Sequence, residues 1–219
     1  MDIRAEATPG SRRVAALTVL AAVLCAVGLV ALVHHYAAPR IAASERAARI
    51  ARLTVVLGDL RFDNDVLADV VLVRDAALLG TDRPLPLHRA RLDGRPVAAL
   101  MEVVAPGGYG GAIRLIVAMQ PDGSLIGVRV LSHSETPGVG DAIEPQRSGW
   151  LERLTGHGLG DPALERWAIR KDGGDFDQYT GATVTSRAVV GAVRDALRWY
   201  DAHRDEAFAA PSEPTADDD

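Results

Sequence analysis

Residues 173–186 read GGDFDQYTGATVTS, and this stretch decides how the rest of the chain is interpreted. Its second half is rich in glycine, alanine and hydroxyl side chains, which predicts a compact loop that runs into the start of a helix. Gly181 lets the backbone turn where a side chain would clash. Thr185 or Ser186 is expected to cap the helix, because a short hydroxyl side chain accepts hydrogen bonds from the first free N–H groups.

Thr180 and Thr183 would then lie just ahead of the helix N-terminus. Unpaired N–H groups and the helix dipole favour an anion at such a position. One interpretation is an ordinary capped loop, since hydroxyl residues are common before helices. The other is a phosphate site in which a threonine oxygen is itself the point of attachment. The helix that follows is predicted over residues 187–200, where apolar residues recur at helical spacing.

Charge and cysteine content restrict the classes of function. The formal net charge of −5 argues against a nucleic-acid-binding surface, which would require a basic patch. The single cysteine, Cys25, excludes an internal disulfide and a cysteine-ligated cluster. None of the six histidines pairs with another at metal-ligand spacing on one helix face, so the sequence predicts no metal site.

Residues 14–33 form a run of twenty residues without a charged side chain, VAALTVLAAVLCAVGLVALV. As a helix this run would span about 30 Å, which matches the hydrocarbon core of a bilayer. The alternative is a cleaved signal peptide, but the run is long for one and no small-residue cleavage site follows it. Arg12 and Arg13 favour a cytoplasmic N-terminus, although several arginines also follow the span. We therefore expect the domain that follows to lie on the outer side of the membrane.

These features predict four regions. Residues 1–13 would be a cytoplasmic N-terminus and residues 14–35 a transmembrane helix, with the chain leaving the span near Pro39. Residues 36–206 would form a soluble domain that begins with a helix over residues 41–57. Residues 207–219 are polar and acidic, which predicts a disordered tail.

The middle of the chain has the period of an antiparallel sheet. Strands are predicted over residues 85–91, 96–104, 112–119 and 124–131. Asp93-Gly94 is a strong hairpin signal between the first two, and Pro121-Asp122-Gly123 turns between the last two. Residues 63–72 could be a strand or a short helix. A helix is expected over residues 141–154 and a strand over residues 164–169, so the fold class is α+β with an antiparallel sheet and flanking helices.

Several enzyme motifs are absent from the sequence. It contains neither a G-x-S-x-G elbow nor a G-x-x-x-x-G-K-[ST] loop. Residues 108–111 (GYGG) follow a strand but lack the third spaced glycine of a dinucleotide fingerprint. A threonine such as Thr183 needs a base to remove its proton, and its segment offers only Asp175 and Asp177. No catalytic residue is therefore predicted, and a separate enzyme would have to supply the base and a metal ion.

Three motifs in order carry a resemblance to a known family. Residues 177–183 (DQYTGAT) resemble the flavinylation motif D-x-x-[S/T]-G-A-[T/S] of covalent FMN-binding domains. Residues 134–140 (SETPGVG), followed by Asp141, resemble the S-E-T-P-G-L-G loop, with Val139 where leucine is usual. Residues 108–111 resemble the glycine-tyrosine loop. Behind a single N-terminal span, this order is similar to the G subunit of the Rnf-type electron transport complex, over residues 14–200.

The resemblance implies that FMN is joined covalently, through its phosphate, to the hydroxyl of Thr183. It implies further cofactor-binding roles for seven residues: Thr180, Gly181, Ala182, Thr185, Glu135, Thr136 and Gly138. A flavin transferase using Mg²⁺ would make the bond on the outer side of a bacterial inner membrane. The family complex moves electrons between ferredoxin and NAD and couples the flow to ion transport. This subunit would relay electrons beside the other subunits, without autonomous catalysis.

Two alternatives remain. One is the related C subunit of the sodium-translocating NADH:quinone oxidoreductase, which shares the threonine motif. The other is a membrane-anchored binding or assembly module without a redox role, which would carry no flavin.

Overall fold

The computed structural model describes residues 9–213 of the 219-residue chain. The chain divides into two compact units, Met1–Arg49 and Ile50–Asp219. The regular elements of the described residues are three α-helices and five β-strands, joined in the second unit by short 3-10 turns. The predicted α+β class, with an apolar N-terminal helix, an antiparallel sheet and flanking helices, is confirmed.

Helix α1 (Pro9–Thr54) is a single continuous helix of 46 residues. Residues 41–54, predicted as part of a separate helix, are helical but continue α1 through Pro39. A proline removes one backbone hydrogen bond and can bend a helix, but it does not have to end it. A 3-10 turn, Val55–Leu57, follows α1, and Gly58 ends it at a φ of 57°.

Within the described residues, the Ala22–Ala48 stretch of α1 is long and apolar enough to cross a membrane. Large apolar side chains along this helix are exposed rather than packed on protein, for example Leu24 and Val30. This is the environment expected of lipid-facing residues. Residues 14–16, where the predicted span begins, lie outside the part of the helix whose side chains are described.

The sheet is a meander in the order β1-β2-β3-β4-β5, with every neighbouring pair antiparallel. Each of the four predicted strands is present, with ends displaced by at most one residue. The first strand lies in the segment where helix and strand could not be distinguished. The bounds are β1 (Val70–Val73), β2 (Leu85–Leu92), β3 (Arg95–Ala105), β4 (Ile113–Met119) and β5 (Leu125–Ser132).

The β2–β3 hairpin turns where the sequence predicts, at Asp93 and Gly94. Both residues have positive φ, 51° and 73° respectively. Two consecutive positive φ values are the geometry of a type I′ turn, which matches the twist of the flanking strands. A bulge between Ala90 and Arg91 shifts the register next to this turn.

Each face of the sheet is covered. One face packs against helix α3 (Thr183–Ala209) and the 3-10 segments, with Val193 and Leu197 of α3 buried in the same core as Leu87 and Met101 of the strands. The other face packs against Leu53, Val56 and Leu57, at the end of α1 and in the turn after it. The four-residue helix α2 (Ala76–Leu79) is capped by Asp75, whose side chain accepts from the backbone N–H groups of Ala77 and Leu78.

Two predicted elements are not formed. Residues 141–154 contain two 3-10 turns, Gly140–Ile143 and Leu151–Leu154, instead of a helix. Glu144 precedes Pro145 and is extended, with a ψ of 137°, because proline disfavours the helical conformation of the preceding residue. Residues 164–169 form a 3-10 turn, Leu164–Arg166, instead of a strand, and only Ile169 makes a bridge, to Phe176.

Helix α3 begins four residues before the predicted helix and continues nine residues beyond it, to Ala209. The predicted disordered tail therefore begins too early. Arg89, 2% exposed, donates from its guanidinium to the carbonyl oxygens of Ala207 and Ala210 at 2.8 and 2.6 Å. The Glu213 N–H donates to the Val70 carbonyl at 2.7 Å. Residues 214–219 lie outside the described residues.

Candidate functional site

Two loops and the first turn of α3 meet around one buried carboxylate. The loops are the glycine loop (residues 106–111) between β3 and β4 and the SETPGVG loop (residues 134–140) after β5, and the DQYTGAT segment (residues 177–183) leads into α3. Glu135 of the SETPGVG loop is only 5% exposed, although residues 136–139 beside it are exposed. Its Oε1 accepts from the Gly110 N–H at 2.9 Å, and its Oε2 accepts from the Thr185 hydroxyl.

Glycines close the space around this carboxylate. A Cβ on Gly108 would lie 2.7 Å from Glu135 Oε1, and one on Gly140 would lie 2.8 Å from Oε2. A Cβ on Gly110 would lie 1.9 Å from the Ser134 carbonyl oxygen. The glycines of two motifs are thus required by close packing against Glu135 and its neighbour, which their sequence spacing alone does not reveal.

The first turn of α3 differs from the prediction in one respect. The helix begins at Thr183, with Ala182 at the N-cap position, so neither Thr185 nor Ser186 is a cap. Both lie inside the first turn, with exposures of 1% and 0%. Because the carboxylate of Glu135 accepts from Thr185 and the Ser186 Oγ accepts from the Tyr179 N–H at 3.0 Å, these hydroxyls serve tertiary contacts instead of capping.

Thr183 itself occupies the first position of α3 and is half-buried. The first N–H groups of a helix have no partner within the helix, and the Ala182 methyl offers no acceptor to them. Gly181 precedes with a φ of 86°, a left-handed conformation that suits glycine. Thr180 and Gly181 are exposed, whereas Ala182 is buried. A phosphate ester on the Thr183 hydroxyl would therefore stand beside uncapped N–H donors, and the residues present fit such a group.

The DQYTGAT segment is anchored at its first residue. The Asp177 carbonyl oxygen accepts from the Trp150 indole N–H at 2.6 Å. The Asp177 carboxylate lies 3.2 Å from a guanidinium nitrogen of Arg153 and 3.2 Å from one of Arg170. These contacts were not predicted, because no local pattern links Trp150 or either arginine to this segment.

A cavity of about 280 Å³ lies beside that anchor. Its lining is mixed in charge and includes Phe176, whose ring meets that of His157 edge to face at 5.5 Å. The lining residues are Arg153, His157, Asp161, Pro162, Asp175, Phe176 and Asp177. Hydrogen bonds from the Arg166 guanidinium lower the pKa of the Asp175 carboxyl. No group of three potential metal ligands occurs among the described residues.

Exposed apolar side chains come from all three loops and from the first turn of α3. Tyr109 of the glycine loop is 75% exposed and Val139 of the SETPGVG loop 42%. Tyr179 is 37% exposed and Val184 42%. Gly138, also exposed, has a φ of 79°. Exposed apolar side chains of this kind are candidates for contact with a ligand or a partner.

Comparisons with known proteins agree with this arrangement. A family model described as the FMN-binding domain matches residues 108–198, which contain all three loop motifs. A Pseudomonas aeruginosa (strain UCBPP-PA14) protein, named as the G subunit of the ion-translocating oxidoreductase complex, is 49% identical over 190 residues, 87% of this chain and 88% of that protein. This chain belongs to the G-subunit family of that complex.

Other members of the G-subunit family are similar over nearly their whole length. The Vibrio atlanticus protein is 43% identical over 194 residues, 88% of this chain and 92% of that protein. The Shewanella loihica protein is 42% identical over 198 residues, 90% of this chain and 93% of that protein. The resemblance to the Rnf-type G subunit is thereby confirmed, and so is the presence of an FMN-binding domain.

Proposed function

We propose that this chain is a membrane-anchored flavoprotein that relays electrons in an ion-translocating oxidoreductase complex, with FMN esterified to Thr183. The observation that carries the proposal is the position of Thr183, half-buried at the uncapped first turn of α3 and within the matched FMN-binding domain. The names of the relatives support the complex. They also favour the G subunit over the alternative, the C subunit of the sodium-translocating enzyme.

The attachment is a phosphoryl transfer to a hydroxyl. The Thr183 oxygen forms a bond to the phosphorus of the FMN moiety and loses its proton. The donor is a flavin dinucleotide, in which a phosphoanhydride bond breaks and a nucleoside monophosphate leaves, so that the protein gains one FMN less one water. The described residues place no hydrogen-bonding base on the Thr183 hydroxyl. A flavin transferase with Mg²⁺ therefore supplies the base and the metal.

The chain's own residues hold and surround the cofactor. The N–H groups of the first turn of α3 would be the donors for the phosphate oxygens left free after esterification. Thr180, Gly181 and Ala182 form the loop that immediately precedes Thr183, and Thr136 and Gly138 are exposed residues of the SETPGVG loop that would be available to the cofactor. When bound, FMN supplies the redox chemistry, accepting and releasing electrons. Covalent attachment keeps the cofactor in place outside the cytoplasm, where a lost flavin is not replaced from a local pool.

The proposed location is the bacterial inner membrane. Residues 1–13 lie in the cytoplasm, residues 14–35 cross the bilayer once, and the domain that follows lies on the outer side. The apolar stretch of α1 and the complex named for the relatives support membrane association. The partners are the other subunits of the complex, which together move electrons between ferredoxin and NAD and couple the flow to ion transport.

The decisive experiment is co-expression of the full chain with a flavin transferase. The wild-type protein should give a flavin-fluorescent band in a denaturing gel and an intact mass higher by one FMN less water. Thr183→Ala should remove both signals, whereas the control Thr155→Ala, at an exposed threonine outside the three loops, should keep the covalent flavin.

A fluorescent Thr183→Ala band would contradict the assignment to Thr183. A wild-type protein without added mass, despite an active transferase, would instead support the assembly-module alternative.

A further inference from the structure

We infer that Glu135 is a positioning residue for flavin attachment, which holds the Thr183 hydroxyl in place through Thr185 and the glycine loop without touching FMN. The inference rests on the proposed function. Under this inference Glu135 acts indirectly, whereas the resemblance implies a direct role in cofactor binding.

Burial of Glu135 is the first argument. A carboxylate is costly to remove from water unless hydrogen bonds compensate it. Glu135 is 5% exposed in a loop whose next four residues are all exposed. Hydrogen bonds must therefore offset the cost of burying this carboxylate, and both of its oxygen atoms accept one.

Each oxygen atom of Glu135 holds a different part of the site. Oε1 accepts from the Gly110 N–H, which fixes the glycine loop. Oε2 accepts from Thr185, which fixes the first turn of α3. The Glu135 backbone N–H donates to His133 Nδ1 at 3.1 Å, and His133 Nε2 lies 2.9 Å from Glu144 Oε1. One side chain thus joins the SETPGVG loop to two elements that are far from it in sequence.

Packing around the carboxylate leaves its oxygen atoms little access to a cofactor, since the side chain is 5% exposed. Gly108 approaches Oε1, and Gly140 approaches Oε2, so closely that neither has space for a methyl group. A Cβ on Gly140 would also lie 3.3 Å from the Thr185 Oγ1. Backbone from two loops covers the oxygens, so the effect of Glu135 on FMN must pass through the residues that it holds.

Two hydrogen-bonded residues connect the contacts of Glu135 to the position of Thr183. Thr185 is two residues from Thr183 in the same helical turn, and its hydroxyl fixes the rotation of that turn about the helix axis. Ser186 holds the opposite end of the loop through the Tyr179 N–H. With both contacts made, the Thr183 hydroxyl has a fixed position relative to the SETPGVG and glycine loops. A preset acceptor geometry lowers the entropic cost of reaching the transition state.

The test measures the rate of flavin attachment to the purified full-length apoprotein, in detergent, with purified flavin transferase, a flavin dinucleotide and Mg²⁺. Intact mass gives the fraction converted at each time. Glu135→Ala removes both hydrogen bonds, and the rate should fall at least about tenfold. Glu135→Gln should recover at least about half of the wild-type rate, because its oxygen accepts from Gly110 and its amide donates to the Thr185 oxygen.

A second pair of variants tests the same contact independently, in case Glu135→Ala does not fold. Thr185→Val keeps the volume but loses the donor, and should slow attachment about as much as Glu135→Ala. Thr185→Ser keeps the hydroxyl and should restore the rate. Glu152→Ala is the matched control: it removes an exposed carboxylate that pairs with Arg129, outside the Glu135 network, so its rate should equal that of the wild type.

Amide hydrogen exchange of the apoproteins provides a readout without flavin. Exchange of the amides of residues 186–190, where the hydrogen-bonded part of α3 begins, should be faster in Glu135→Ala and Thr185→Val than in Glu135→Gln, with the core of the sheet unchanged. A Glu135→Ala or Thr185→Val protein that reacts at the wild-type rate would overturn the inference, and so would a Glu135→Gln protein as slow as Glu135→Ala. If the wild type itself gains no FMN, the proposed function fails instead.

Discussion

The indole N–H of Trp150 and the backbone carbonyl of Asp177 are joined by a hydrogen bond of 2.6 Å. Trp150 is buried at 5% exposure within the core that covers one face of the sheet. Asp177 is the first residue of the DQYTGAT segment. The bond therefore ties the start of the segment that carries Thr183 to the rigid interior of the domain.

Replacement of Trp150 by phenylalanine should weaken that anchor. The Asp177 carbonyl loses its donor, and an unsatisfied buried acceptor costs about 1–3 kcal/mol. We expect this loss in the free energy of unfolding in urea, together with slower covalent flavin attachment measured by intact mass. Trp167→Phe is the matched control, because it also removes an indole hydrogen bond, to the Gly158 carbonyl at 3.1 Å instead of the motif, and keeps an aromatic ring against Phe176. Equal attachment rates in the two variants would argue against an anchoring role.

Gly110→Ala should disrupt the glycine loop. Its Cβ would meet the Ser134 carbonyl oxygen at 1.9 Å, so the backbone must move, at a cost of about 1–3 kcal/mol. The same movement would break the bond to Glu135 and reduce flavin attachment. The control is Gly191→Ala in α3, where a Cβ meets nothing within 4 Å and should stabilise the helix by about 0.5–1 kcal/mol. Thermal unfolding distinguishes the two variants, because the melting temperature should fall in Gly110→Ala and rise in Gly191→Ala.

Arg89→Met should release the end of α3. Removal of the guanidinium leaves two carbonyl oxygens, of Ala207 and Ala210, without their donor and deprives Asp69 of a partner. The expected loss is about 3–5 kcal/mol of unfolding free energy. Arg114→Met removes an exposed ion pair with Glu102 and should cost about 0–1 kcal/mol. Similar losses in the two variants would show that the Arg89 cluster does not stabilise the domain.

His88 should make stability depend on pH. Burial lowers the pKa of His88, and its Nδ1 lies 3.0 Å from the Val66 carbonyl oxygen. The unfolded histidine binds a proton below about pH 6.5, whereas the folded one stays neutral to lower pH. Stability should therefore fall as pH drops from about 6.5 towards the folded pKa, by at most about 1.4 kcal/mol per pH unit. Urea unfolding of His88→Gln between about pH 7 and 5 should show a smaller slope. An unchanged slope would exclude His88 as the source.

Local sequence signals predicted the sheet well because alternation and turn residues are local properties. Asp93-Gly94 fixed the first hairpin, and strands β2 to β5 lie within one residue of their predicted ends. Strand β1, with only four residues, is too short to show a period. The helix predicted over residues 141–154 was wrong, because their apolar residues have helical spacing while Pro145 prevents a continuous helix.

Long-range contacts account for the other differences. The polar composition after residue 206 predicted a disordered tail from residue 207. The helix continues to Ala209 because Arg89, on a distant strand, donates to the carbonyl oxygen of Ala207. Thr185 was assigned as a cap from its position, but its hydroxyl donates to Glu135, which belongs to another loop. The resemblance already includes Glu135 among its implied residues, but its contacts with Gly110 and Thr185 join segments far apart in sequence and are visible only in the structure.

Helix α3 can serve as a molecular ruler. Its 27 residues place Thr183 and Ala209 about 40 Å apart at about 1.5 Å per residue. A fluorescent dye attached near residue 209 would lie at a distance suited to energy transfer with a flavin at Thr183. Cofactor loading could then be followed in intact membranes without a label near the reacting end of the helix.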